Sequence, residues 1–210
     1  MDRRRIDGGN GMAVCVLLIG SLVCGCGSDE NKAVKQAVAA IEALGGKITY
    51  TGSGKNAKVT EVDLHGTLVS DEDLDHLQAL PNITRLDLGV TEITDAGLAK
   101  LEKLENLEEL YLRFTPVNGT GLASVPQKKL TTLELWMTEA NDVGLRNLGG
   151  AVALANLDLF STPVTDAGLA ALKDLKKLSQ VDLRYTQVTQ AGVAALQKTA
   201  AGAKIDFQSQ

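Results

Sequence analysis

Residues 83–106 read ITRLDLGVTEITDAGLAKLEKLEN, and residues 154–177 read LANLDLFSTPVTDAGLAALKDLKK. The two stretches are nearly the same sentence. Working outward from them, comparable units begin at Val59, Ile83, Leu107, Leu130, Leu154 and Leu178, with spacings of 24, 24, 23, 24 and 24 residues. A fixed period of this length marks a repeat array, in which each unit buries its apolar face against the units beside it.

The columns of the repeat have physical readings. Leu86 and Leu88 alternate with polar residues, so they point inward from a short strand. Ile93, Leu98, Leu101 and Leu104 fill the space between strand and helix. Thr67, Thr91, Thr115, Thr138, Thr162 and Thr186 form a column whose hydroxyls are expected to bond backbone groups in a turn. Ser70, Thr94, Asn118, Asn141, Thr165 and Thr189 stand at the helix starts, and all are preferred N-cap types. Gly97, Gly121, Gly144, Gly168 and Gly192 mark close approach of adjacent helices, with Asp73 in the equivalent place of the first unit.

The pattern LxxLxLxxT followed by a helical segment resembles the leucine-rich repeat, in a form similar to the ribonuclease-inhibitor-like α/β type. The resemblance covers about two-thirds of the chain. It implies an α/β fold: a right-handed leucine-rich-repeat solenoid with a curved parallel sheet on its concave side and short helices on its convex side. It also implies interaction with a partner, without naming one.

The expected organisation has six repeats over residues 59–201 and a last strand over 202–210, where Ile205 and Phe207 continue the inward pair. Before the repeats, residues 32–58 do not fit the period. Lys32 to Leu44 places Val34, Val38, Ile41 and Leu44 on one helical stripe, Gly45-Gly46 ends it, and Lys47 to Thr51 reads as a strand. An atypical first unit is what a solenoid needs to cover its apolar end.

The first residues read as an address. Arg3, Arg4 and Arg5 precede an apolar run from Met12 to Val23. That run is shorter than the roughly 20 residues a membrane span needs, and it matches a signal-peptide core. Val23-Cys24-Gly25-Cys26 resembles a bacterial lipobox, which implies cleavage after residue 25, a lipid on Cys26 and a tether over 26–31. Cys24 is the alternative lipidation site, and a plain or uncleaved signal is the plainer reading. Gly27 after the modified Cys leans toward the outer membrane. The expectation is a secreted bacterial leucine-rich-repeat protein, lipid-anchored in the cell envelope.

The site is expected on the outward strand positions, which packing does not dictate. Between the inward residues stand Asp63, Asp87, Tyr111, Glu134, Asp158, Asp182 and Asp206, an acidic ladder broken by one Tyr. Arg85, Arg113 and Arg184 occupy neighbouring columns. The ladder is read as a wet sheet face, a site for basic groups, or a Ca²⁺ site. The chain has one Trp, three Tyr and three Phe, and five of these, Tyr111, Phe114, Trp136, Phe160 and Tyr185, fall on outward positions of repeats three to six. With Arg113, Met137 and Arg184 they make the candidate partner-binding surface, since exposed aromatic residues and Arg are common interface anchors. The plainer reading is that the rings pack on one another.

Nothing points to catalysis: no nucleophile elbow, phosphate loop or metal-ligand spacing occurs. His65 and His76 are expected on different sides of the first repeat. A net charge of −5 without a basic cluster argues against nucleic acid. The expectation is a monomeric, non-enzymatic binder of a protein or peptide, without cofactor or metal; a glycan ligand or a purely structural scaffold are the alternatives.

Overall fold

The computed structural model describes residues 29–54 and 57–208. The expected signal peptide, and the lipidation expected at Cys26, fall outside the described residues. Eight strands form one sheet in chain order: β1 (Lys47–Thr51), β2 (Lys58–Asp63), β3 (Arg85–Asp87), β4 (Glu109–Tyr111), β5 (Thr132–Glu134), β6 (Asn156–Asp158), β7 (Gln180–Asp182) and β8 (Lys204–Asp206). β1 runs antiparallel to β2 and every later pair is parallel. The register is unbroken, so Val62, Leu86, Leu110, Leu133, Leu157, Val181 and Ile205 lie side by side.

The inward pairs build the core. Leu86, Leu88, Leu110, Leu112, Leu133 and Leu135 are fully buried, together with Ile93, Leu98, Leu101 and Leu104 from the returning half of their repeat. The helical half is short. In repeats two, four and five it opens with one α-turn, α2 (Asp95–Leu98), α3 (Asp142–Arg146) and α4 (Asp166–Leu169), and tightens into 3₁₀ geometry. Repeats one and three have only 3₁₀ helix, over Glu72–Ala79 and Thr120–Ser124. The last repeat carries a longer α-helix, α5 (Gln190–Thr199).

The first unit sits across the start of the array. Its helix, α1 (Asp29–Ala43), begins earlier than Lys32, and it buries Ala37 and Ile41 with Val34, Val38 and Leu44 at the margin. Gly45 (φ +87°) ends it: the Gly46 N–H donates to the Ile41 carbonyl at 2.9 Å and the Gly45 N–H to Glu42 at 3.0 Å. This paired closure needs the left-handed residue that glycine supplies.

The threonine column is uniform. Each hydroxyl, from Thr67 to Thr186, donates to the carbonyl three residues earlier at 2.6–2.7 Å. The capping column divides. Thr94, Asn141, Thr165 and Thr189 accept from helix N–H groups as expected. Ser70 does not: its N–H and hydroxyl both donate to the Asp73 carboxylate, at 2.9 and 2.7 Å. Asn118 accepts the Thr120 N–H, but the helical turn starts one residue later, after Gly119 at φ +91°.

Successive repeats are clamped on the helical side by an aspartate. Asp71 accepts the N–H and hydroxyl of Thr94, Asp142 those of Thr165, and Asp166 those of Thr189, all at 2.6–2.9 Å. Asp95 accepts the N–H groups of Asn118 and Gly121. This explains the glycine column. A Cβ on Gly97, Gly168 or Gly192 would run into the clamping carboxylate of the preceding repeat, and one on Gly121 or Gly144 into its backbone. Repeat three has Gly119 where repeats one, two, four and five carry Asp, so its joint to repeat four is made differently. The Asn141 N–H donates to the Asn118 carbonyl, and the Asn147 amide reaches the carbonyls of Gly119 and Thr120.

Candidate functional site

Beyond the strands, the inter-repeat backbone ladder continues for two more residues. The N–H groups of Gly66, Val90, Phe114, Met137 and Ser161 each donate to a carbonyl of the following repeat, at 2.8–3.2 Å. Reaching that carbonyl while turning the chain places these residues in the left-handed region. Val90, Phe114, Met137, Ser161 and Tyr185 have φ between 54° and 60°, and Gly66 has 66°. For a β-branched or bulky residue this conformation is unfavourable by about 1 kcal/mol or more. Glycine removes the penalty, yet the chain uses it here only in the first repeat.

The same column is exposed. Val90, Phe114 and Met137 are 44–46% exposed and Tyr185 61%. Four of the seven large hydrophobic residues that face solvent among the described residues therefore occupy one column. Both the backbone and the solvent disfavour apolar side chains there, so neither accounts for their presence.

Beside this column the rings join. Phe114 meets Trp136 with centroids 4.6 Å apart, Trp136 meets Phe160 at 6.4 Å, and Phe160 meets Tyr185 at 5.0 Å. All three contacts are edge-to-face, at 66°, 83° and 71°. The result is one continuous aromatic row across repeats three to six. Trp136 and Phe160 are half-buried within it, and the Arg184 guanidinium lies 5.4 Å from the Phe160 ring.

Tyr111 departs from the expectation of an exposed anchor. It is 9% exposed, lying under Arg85 and Arg113, whose guanidinium carbons are 4.4 and 5.5 Å from its ring. Its hydroxyl donates to Glu109 at 2.7 Å and accepts from Arg85 at 2.7 Å. Burial, first, and the bond to Glu109 push its pKa up to about 12. Tyr111 is thus floor rather than contact surface.

The acidic ladder is mostly matched by cations. Arg113 bridges Asp87 at 2.8 Å and Glu134 at 3.4 Å, and it reaches His65 Nδ1 at 3.2 Å. Lys47 faces Asp63, Arg184 folds back on Asp182, and Lys204 on Asp206. Asp63, Asp87, Asp158 and Asp182 also accept the N–H two residues on, at 2.9–3.0 Å. Asp158 alone in this column has no ion-pair partner among the described residues. Desolvation, followed by its like-charged neighbours Asp182 and Glu134, raises its pKa. It lies in a shallow groove of about 330 Å³ with Tyr111, Glu134, Asn156, Gln180 and Asp182.

The structure thus brings Arg113, Phe114, Trp136, Met137, Phe160, Arg184 and Tyr185 onto one face, with the carboxylates along its floor. His76 belongs to the 3₁₀ helix of repeat one, away from His65 on the sheet side. Among the described residues no three His, Cys, Asp or Glu side chains gather as a metal site, and no helix is long and apolar enough to cross a membrane. Sequence reasoning missed the left-handed column; Gly66 at its head was the one available signal.

A family profile described as "Leucine Rich repeat" matches residues 79–101. The structure is similar to an internalin (inlF) from Listeria monocytogenes, at 18% identity and a TM-score of 0.57 over 84% of this chain and 56% of that one. The fold is a leucine-rich-repeat solenoid. A second Listeria monocytogenes internalin, C2, aligns over 84% of this chain and 92% of its own at 17% identity and a TM-score of 0.55. A leucine-rich-repeat protein of Leptospira interrogans aligns over 63% of this chain and 33% of its own, at 20% identity and a TM-score of 0.54. This chain therefore spans about half of the first internalin and a third of the Leptospira protein. No curated protein matches it in sequence.

Proposed function

We propose that this solenoid is a non-enzymatic binding protein of the bacterial cell envelope, whose sheet face over repeats three to six takes a protein or peptide. The observation that carries the reading is the left-handed column. Phe114, Met137 and Tyr185 hold apolar side chains in solvent on a backbone that glycine would fit better. Strain of this kind persists where a side chain is needed for something other than folding. The aromatic row beside the column supplies the anchors, with Trp136 and Phe160 in the middle. Asp158, half-buried and without an ion-pair partner among the described residues, favours a partner that brings a Lys or Arg side chain into the groove. Rings packed edge-to-face present no row of parallel faces, which favours a peptide over a stacked glycan.

The anchor belongs to the same reading: a lipid on Cys26 holds the chain at a membrane, the outer membrane by the Gly27 that follows it. Replacing Cys26→Ser then moves the chain to the soluble fraction; retention at the membrane rejects the lipid. The binding surface is tested by placing a photo-crosslinking residue at Met137 or Tyr185, and at the exposed helical-side Ala195 as control, in the native cells. Discrete adducts from the two sheet positions and none from Ala195 are expected. Equal labelling at Ala195, or no adduct at Met137 and Tyr185, overturns the surface.

A further inference from the structure

The two ends of the sheet are unlike. At the first end α1 covers the core, and β1 carries a bulge between Thr49 and Tyr50. A bulge blunts an edge against further pairing. At the other end β8 has no strand on its outer side among the described residues. Ala203, Ile205 and Phe207 are only half-buried there, whereas the inward residues of β3 to β7 are buried.

The backbone of β8 alternates. The Lys204 N–H donates to Ser179 at 2.8 Å, and the Asp206 carbonyl accepts from Leu183 at 2.7 Å. Residues 204 and 206 therefore turn their polar groups toward β7, and the N–H and C=O of Ile205 face away from it. Lys204 and Asp206 flank Ile205 on the sheet face, and they pair with each other at 2.9 Å within the chain.

From this alternation and charge order we infer that β8 is a self-pairing edge: two copies join antiparallel about Ile205, making one continuous sheet across a two-fold axis. In this register Ile205 faces its own copy as a hydrogen-bonded pair, which uses the outward N–H and C=O of both. Lys204 of each chain stands opposite Asp206 of the other, giving two opposite-charge cross-strand pairs. Ala203 stands opposite Phe207, small against large. Centring the pairing on Lys204 or on Asp206 instead sets like charges face to face. A lone Lys on an edge discourages pairing of any kind; Lys and Asp two residues apart permit this one. The contact is isologous and closes at two copies. Its short strands place it at the weak end of protein interfaces. It replaces the monomer expected from sequence and leaves the aromatic row free.

The test is sedimentation equilibrium of the full chain from about 10 µM to 1 mM. A monomer–dimer equilibrium is expected. Lys204→Glu sets like charges opposite twice and weakens the dimer about tenfold. The exchanged variant, Lys204→Asp with Asp206→Lys, restores it. Ile205→Pro removes an N–H that makes no bond to β7 and abolishes the dimer; an unchanged thermal melt shows that the chain still folds. A monomer at every concentration overturns the proposal. So does a series growing beyond two copies, or a dimer that Lys204→Glu does not weaken.

Discussion

Replacing Met137 separately by glycine and by alanine sets the backbone against the side chain. Met137 has φ 54° and is 44% exposed, so either change forfeits about half of a methionine's burial, roughly 1 kcal/mol. That loss is nearly common to both variants and cancels between them. What remains is conformational. Alanine keeps the left-handed penalty of about 1–2 kcal/mol, and glycine removes it. Glycine in turn gives the unfolded chain more freedom, which opposes folding by about 0.4–1 kcal/mol. The glycine variant is therefore expected to be more stable than the alanine variant by roughly 0.5–1 kcal/mol, the reverse of their order in a helix or strand. With a urea slope of about 2 kcal/mol/M, its midpoint lies about 0.3–0.5 M higher. Both variants lose the photo-crosslinked adduct reported from Tyr185. An alanine midpoint equal to or above that of glycine would refute the strain, and with it the argument that Met137 is kept for its side chain.

Three further outcomes are expected. Asp158→Asn keeps the acceptor for the Phe160 N–H and removes a charge whose folded pKa is raised. A raised carboxyl pKa means that stability falls as pH rises through it, so the substitution raises the urea midpoint at pH 7 and leaves it nearly unchanged at pH 3. Tyr111, with a pKa pushed up to about 12, stays protonated when ordinary tyrosines have ionised. The stability it contributes is complete below pH 10 and lost as pH rises through about 12, and an ultraviolet titration compared with Tyr111→Phe reads this directly. Asp142→Ala removes both bonds to Thr165 and destabilises the array by about 2 kcal/mol in urea unfolding; a change below about 0.5 kcal/mol would show that the clamp is incidental.

The strand columns were legible because burial enforces them. Leu86, Leu88 and their equivalents recur at the period, and the register follows from that recurrence. The threonine column was legible for the same reason: a hydroxyl held among buried backbone finds a carbonyl within its own turn. Other features depend on residues about 23 positions away. Asp142 is an ordinary first-turn acid in sequence, and only the stacking of repeats shows that its carboxylate holds Thr165. Tyr111 is correctly outward by alternation, yet Arg85 from the preceding strand and Arg113 from two residues further along its own repeat close over it. Ser70 fails as a cap because Asp73, standing where later repeats have glycine, reaches back and makes it a donor. The left-handed column was hidden because alternation marks which side a residue faces and says nothing of φ.

The aromatic row has a spectroscopic consequence. Trp136 is the chain's single tryptophan, and it stands half-exposed at the centre of the row, between Phe114 and Phe160. Excited at its red edge, the whole chain therefore emits from one place, and that place is the surface assigned to the partner. Covering the row dries the indole and shifts its emission to shorter wavelength, so occupancy can be titrated on the native protein without a label.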